Sequence, residues 1–206
     1  MFAVFVGVER PDDERKPQWE RKCCAGDGEP VTQVALFRNL NLGHRGSPNG
    51  NELVAAFGGP AVARSFQTNG TVLFTSATPE ATASRALRLL RDGGYSHGMV
   101  MRTVAELEAI VGETPEADPA EKVYRTMISL FDTDRLPPVE LPMRSRDQLV
   151  ELRRVDRGSA ASVCWKPRHT AGDVTGFLEA LLSVPVTSRS LGTLKRLVAA
   201  AKRAER

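Results

Sequence analysis

Cysteine, histidine and aromatic residues are all scarce in this chain of 206 residues. Three cysteines, Cys23, Cys24 and Cys164, cannot build a disulfide framework. Cys23 and Cys24 are adjacent, a pairing that strains the backbone, and one thiol is always left over. A reducing compartment, the cytoplasm, is therefore the expectation. No Cys-x-x-Cys occurs, and His44, His97 and His169 lack the spacing of zinc ligands, so neither a metal nor a cofactor is expected. No apolar run approaches the roughly 20 residues that span a bilayer, so no membrane partner is expected. The apolar start, Met1 to Val8, is short and lacks the basic lead of a signal peptide. There is no G-x-S-x-G and no Walker A ending, and no Ser-His-Asp pattern stands out, so no catalytic residue is assigned. Aromatic residues make up 6% of the chain and no RNP-type run is present. Phe37 and Phe74 are accordingly expected in a core rather than under RNA bases.

What is present is a globular composition, 41% hydrophobic and 26% charged, with charge unevenly placed. Residues 1–31 hold five basic and seven acidic side chains, residues 32–184 hold equal numbers, and residues 185–206 hold six basic and one acidic. The net charge of +3 thus comes from the last segment. Its cations suit the C-terminal end of a helix dipole or, alternatively, a patch for phosphate or nucleic acid. The neutral body argues against a dedicated nucleic-acid binder.

Periodicity and turn signals give an ordered series of elements. A buried strand runs over residues 31–42, followed by the loop Gly43–Gly50. A short helix follows over 51–57 with Leu53, Val54 and Phe57 on one face; both Ser47 before Pro48 and Asn49 with Glu52 signal its start. A hairpin turns at Asn69-Gly70 between strands over 61–67 and 71–76. A helix over 78–92 has Ala81, Leu87 and Leu90 inward, and a strand occupies 98–102. This β-α-β-β-α-β order is the ferredoxin-like plan. A linking helix over 104–111 and a polar connection follow. A similar series then repeats: a strand over 122–131, a Pro-rich loop, a hairpin over 149–166, a helix over 170–182, a short strand over 185–188 and a basic helix over 191–204. The fold class is α+β: two ferredoxin-like subdomains in tandem, mainly antiparallel, with a C-terminal helix. The expected units are an extension over 1–31, a first subdomain over 32–112 and a second over 113–206. Duplication is suggested by element order alone.

The loop after the first strand is the best candidate site. Gly43, Gly46 and Gly50 beside a helix start can point backbone N–H groups at one anion, with Arg38 and Arg45 adding charge. The plainer alternative is that these glycines only satisfy turn geometry. Cys164 reads as an inert core thiol.

Phe37-Arg-Asn-Leu-Asn-Leu-Gly43 followed by Glu52-Leu53, the hairpin Phe66–Phe74, and Thr187–Thr193 together resemble the Domain of Unknown Function 1697 family of bacterial proteins. That family's first strand ends in R-G-I-N-V-G-G-K, its hairpin reads Y-I-Q-S-G-N-V-V-F, and a late segment reads T-R-N-W-N-T. The resemblance implies a two-subdomain α+β fold with ferredoxin-like halves and implies no activity. Arg38, Asn41, Gly43, Gly70, Arg189 and Thr193 keep the pattern. Asn39 replaces a Gly, and Thr68, Asn69, Thr71, Ser190, Leu191 and Gly192 also depart from it.

Residues and resemblance together give a candidate anion-binding set of Arg38, Asn39, Asn41, Gly43, Arg45 and Gly46 in and before the loop. Asn69, Ser188, Arg189 and Thr193 join it if the late strand packs nearby. The expected function is non-enzymatic binding of a small anionic or nucleotide-like ligand. An enzyme using the same cleft and a nucleic-acid or interaction module using the basic C-terminal helix are the alternatives.

Overall fold

A computed structural model describes residues 29–44 and 47–204. The expectations for the N-terminal extension, Arg45 and Gly46 fall largely or wholly outside the described residues. The first sheet holds β1 (Val31–Phe37), β2 (Ala63–Phe66), β3 (Thr71–Ser76) and β4 (Met99–Thr103). Its spatial order is β2-β3-β1-β4, with every neighbour antiparallel. Helices α1 (Gly50–Ala56) and α2 (Pro79–Asp92) lie between its strands in sequence, and α3 (Val104–Gly112) follows β4. The second sheet holds β5 (Arg125–Leu130), β6 (Met143–Arg144), β7 (Val150–Val155), β8 (Ser159–Cys164) and β9 (Thr187–Ser190), ordered β6-β7-β8-β5-β9. Helix α4 (Val174–Leu182) precedes β9, and α5 (Leu191–Ala204) follows it. The chain is therefore α+β with two antiparallel sheets and a terminal basic helix. No helix among the described residues is long and apolar enough to cross a membrane.

The two sheets share one register. In the first, Leu36 faces Thr71 on one side and Val100 on the other; in the second, Leu130 faces Ser159 and Thr187. Val34 pairs with Arg102, as Ile128 pairs with Arg189. Phe37 N–H donates to Gly70 O at 2.8 Å, and Phe131 N–H donates to Gly158 O at 3.3 Å. Leu36 thus corresponds to Leu130, Phe37 to Phe131, Gly70 to Gly158 and Arg102 to Arg189. The halves differ at their first crossover, where the second has the Pro-rich stretch in place of a counterpart to α1.

Strand β1 ends at Phe37, short of the expected residue 42, because Asn39 adopts a left-handed φ of 50° and turns the chain. Its side chains alternate between two cores, which is why it reads as one unbroken apolar run. Ala35 and Phe37 join α1, α2, Phe57 and Phe74 in an outer core. Phe57 and Phe74 stack there at 4.8 Å, so Phe37 and Phe74 are core residues with no stacking face for a base. Ala81 is exposed rather than inward; the buried stripe of α2 is Ala83, Ala86, Leu87 and Leu90, and the 3.6-residue period puts Ala81 on the opposite face. Helix α1 starts at the second of its two signals. The Asn49 side chain accepts from Asn51 and Glu52 N–H, and Glu52 accepts from Asn49 N–H. At the hairpin, Gly70 has φ +64°, and a Cβ there would lie 2.7 Å from Leu40 Cβ. A residue without a side chain is required.

Val34 and Leu36 face inward, meeting Ile128 and Leu130 of the other sheet, Leu107 of α3 and Leu194 and Leu197 of α5. The halves therefore share a central core. Leu194 is fully buried in it, and Leu194→Ala is expected to cost about 2–5 kcal/mol. Urea unfolding followed by far-UV circular dichroism should still show one transition, since neither sheet keeps its inner face covered without the other.

Candidate functional site

The end of β1 is where both sheets and α4 meet. Arg38 leaves the strand as its backbone turns, and its side chain reaches α4. There Nε and Nη2 donate to the two carboxylate oxygens of Glu179 at 2.5 and 2.7 Å, a bidentate pair. Nη1 lies 2.9 Å from His97 Nδ1. A guanidinium only donates, so Nδ1 accepts and the imidazole proton sits on Nε2. That Nε2–H has no partner among the described residues. The Tyr95 hydroxyl lies 2.7 Å from both Arg38 O and Gly98 O. Burial pushes this phenol well above its ordinary range, although the Arg38 and Arg189 charges pull it down.

Arg189 approaches the same strand end from β9. Its Nη2 donates to Phe37 O at 2.9 Å and Asn69 O at 2.5 Å. Nη1 donates to Thr187 Oγ1 and Ser188 O, and Nε to Thr71 Oγ1. All five N–H groups are engaged, none by a carboxylate. Burial without an anion draws this guanidinium down to about 10. Arg189 therefore presents charge to the corner but no spare donor. Its counterpart Arg102 donates to Phe131 O and Gly158 O at 2.7 and 2.9 Å. Arg102 also has a carboxylate, Asp132, at 2.9 Å. Asp132 occupies the position equivalent to Arg38. Where the second half sets a cation against an anion, the first sets two cations together.

The other expected site residues are placed as follows. Asn39, Asn41 and Gly43 lie exposed on the turn after β1. Asn69 O binds Arg189, while Asn69 Oδ1 is buried without a partner. Ser188 hydrogen-bonds Ser129 and Thr175, on the strand face opposite Thr187 and Arg189. Thr193 N–H donates to Ser190 Oγ at the start of α5. The structure thus unites Arg38, Asn69 and Arg189 and sets Ser188 and Thr193 in separate networks. Several described amides of the loop are engaged: Leu42 N–H donates to Thr68 O, Gly43 to Pro48 O, His44 to Asn41 O and Ser47 to His44 O. Asn51 and Glu52 N–H are held by the cap. His97, Tyr95 and Glu179 are additions that sequence spacing did not mark. On α5, Lys195 pairs with Glu116 at 2.5 Å and Lys202 with Glu108, which neutralises part of the basic helix. Cys164 is buried in β8, and burial raises its thiol.

The family model described as Protein of unknown function (DUF1697) matches residues 31–157, so the chain belongs to that family. The match stops before β8, and the late segment around Arg189 lies beyond it. No curated protein and no solved structure matches this chain.

The hydrogen bonds from Arg38 hold the Glu179 carboxyl below its ordinary 4.5. The unfolded chain then binds the extra proton first, so stability rises with pH through this window. The contribution of the pair is complete above about pH 4.5 and is lost as the pH falls through the lowered native value. Denaturation at graded pH should show Glu179→Gln with a shallower acid limb than the unsubstituted protein.

Proposed function

We propose that this family member is a non-enzymatic, cytoplasmic binding protein for a small anionic ligand, phosphate- or carboxylate-bearing, taken up beside Arg38 at the end of β1. The observation that carries the reading is the unbalanced pair of guanidinium groups. Arg38 and Arg189 flank the same strand end, and Glu179 is the carboxylate in contact with Arg38, with Asp173 acting more distantly. Arg189 is desolvated with no anion bound to it. An incoming anion supplies the charge that Asp132 supplies to Arg102 in the other half. Two features support uptake at this point: Arg38 keeps 22% of its side-chain surface exposed, and His97 offers an Nε2–H. Glu179 then acts as an internal competitor that holds Arg38 until the ligand arrives. An enzymatic reading draws on the same corner, because His97 and Glu179 would supply acid and base groups within reach of one cation.

A thermal-shift panel of inorganic phosphate, mononucleotides, sugar phosphates and dicarboxylates is expected to yield at least one stabilising anion. Arg38→Gln should weaken that anion by roughly 1.5–3 kcal/mol, the range for a charge-assisted hydrogen bond. Glu179→Gln should strengthen it by removing the competitor. Absence of any stabilising anion, or the same shift in Arg38→Gln, would refute the proposal.

A further inference from the structure

The second half carries a cavity of about 570 Å³ where the chain entering β5, strand β6 and the chain leaving β8 come together. Lys122, Tyr124, Arg144, Gln148, Trp165 and Lys166 line it, and no acidic residue does among the described residues. Its volume is that of a small-molecule site. The Trp165 ring is tied to the backbone beside it, and the Tyr124 main chain is anchored to the end of β8. Trp165 Nε1–H donates to Glu121 O at 3.1 Å and Trp165 N–H to Leu149 O at 3.0 Å. Tyr124 N–H donates to Cys164 O at 2.8 Å, and the Tyr124 residue is still 40% exposed. Cations already attend these rings: Arg144 lies 5.3 Å from the Trp165 centroid and Lys166 5.1 Å from that of Tyr124.

The charges differ in how they are balanced. Arg144 has the buried Glu151 at 2.8 Å, and Glu151 also takes Arg153. Lys122 and Lys166 form no ion pair with a described residue. The cavity therefore joins two aromatic faces to two ammonium groups that have no counter-ion among the described residues. A cationic ligand is repelled, and a purely apolar one leaves the ammonium groups unused.

We infer that this cavity binds a nucleobase carrying a phosphate, either as a free mononucleotide or as a unit of a single strand. The base stacks on the Tyr124 and Trp165 faces, which accept any base because every base has a π-face. Lys122 and Lys166 take the phosphate as mobile point charges, Lys166 exchanging the Tyr124 ring for the phosphate. Gln148 stands at the rim with an amide for the base edge. This site is separate from the β1 corner and uses none of its residues.

The test uses the full chain with Trp19→Phe, which leaves Trp165 as its one indole, read by fluorescence. The probes are AMP, adenosine, ribose 5-phosphate and a short oligothymidylate. Saturable quenching by AMP, with adenosine and ribose 5-phosphate each weaker by about tenfold, is expected for the free nucleotide, since ring and phosphate both contribute. Quenching by oligothymidylate alone, weakening as salt is raised, assigns the site to single strands. Lys122→Ala with Lys166→Ala should weaken the responding probe by about tenfold and reduce its salt dependence, and Tyr124→Leu should weaken it without altering the salt dependence. Arg38→Gln should leave it unchanged, which separates this site from the one at β1. No saturable quenching by AMP or oligothymidylate, equal responses to ribose 5-phosphate and AMP, or unchanged affinity in the lysine variant would overturn the inference.

Discussion

Strand ends and hairpin turns leave carbonyl groups that the ladder does not fully serve, and here four of them, at Phe37, Asn69, Phe131 and Gly158, lie where the two halves touch; Gly158 O also accepts Phe131 N–H. Two guanidinium groups satisfy all four, and each crosses from the opposite half: Arg189 reaches Phe37 and Asn69, and Arg102 reaches Phe131 and Gly158. A buried carbonyl left without a donor costs about 1–3 kcal/mol, so neither sheet end is complete by itself. The planar fork of arginine suits this task, because one nitrogen can serve two carbonyls while the other turns to a side chain or its own strand. The shared core of Val34, Leu36, Ile128, Leu130 and Leu194 supplies the apolar part of the union. The arginine exchange fixes its register.

The same symmetry exposes where the halves have diverged. Equivalent positions after the first strand hold Arg38 and Asp132. In one half the crossing arginine is neutralised in place. In the other, the neutralising role has moved to Glu179 on α4 and is directed at Arg38, which leaves Arg189 with carbonyl and hydroxyl dipoles alone. A structural frame that tolerates a desolvated cation has hydrogen bonds enough to hold it, and here those bonds number five. The electrostatic surplus at β1 is thus a property of the architecture.

Much of this was legible in the chain. Element order, the fold class, the Asn49–Glu52 cap and the core assignments of Phe37 and Phe74 follow from periodicity and local capping chemistry, which act within a few residues. The site was legible only in part. Arg38 and Arg189 stood out, but the contacts that define them reach 59 residues to His97 and 141 residues to Glu179, distances over which spacing carries no signal. Ala81 faces solvent because the 3.6-residue period sets it opposite Leu87 and Leu90, and the small inward residue that completes their stripe against β1 and β3 is Ala83. One signal was present and unused: Arg102-Thr-Val with Leu107 matches Arg189-Ser-Leu with Leu194, and Leu36-Phe37 matches Leu130-Phe131. These repeats are too short to detect without the register that aligns them.

The crossing of Arg189 back to Phe37 also bears on the order in which the chain acquires its shape. Phe37 and the arginine that completes its strand end are separated by 152 residues. During synthesis the earlier elements emerge first, so β1, its hairpin and β4 exist before the group that closes their carbonyl cage. The first sheet must then wait in a provisional state, its inner face and strand end open, until β9 and α5 have left the ribosome. Contacts of such long sequence separation slow folding, and here a contact of that kind closes the half that is made first.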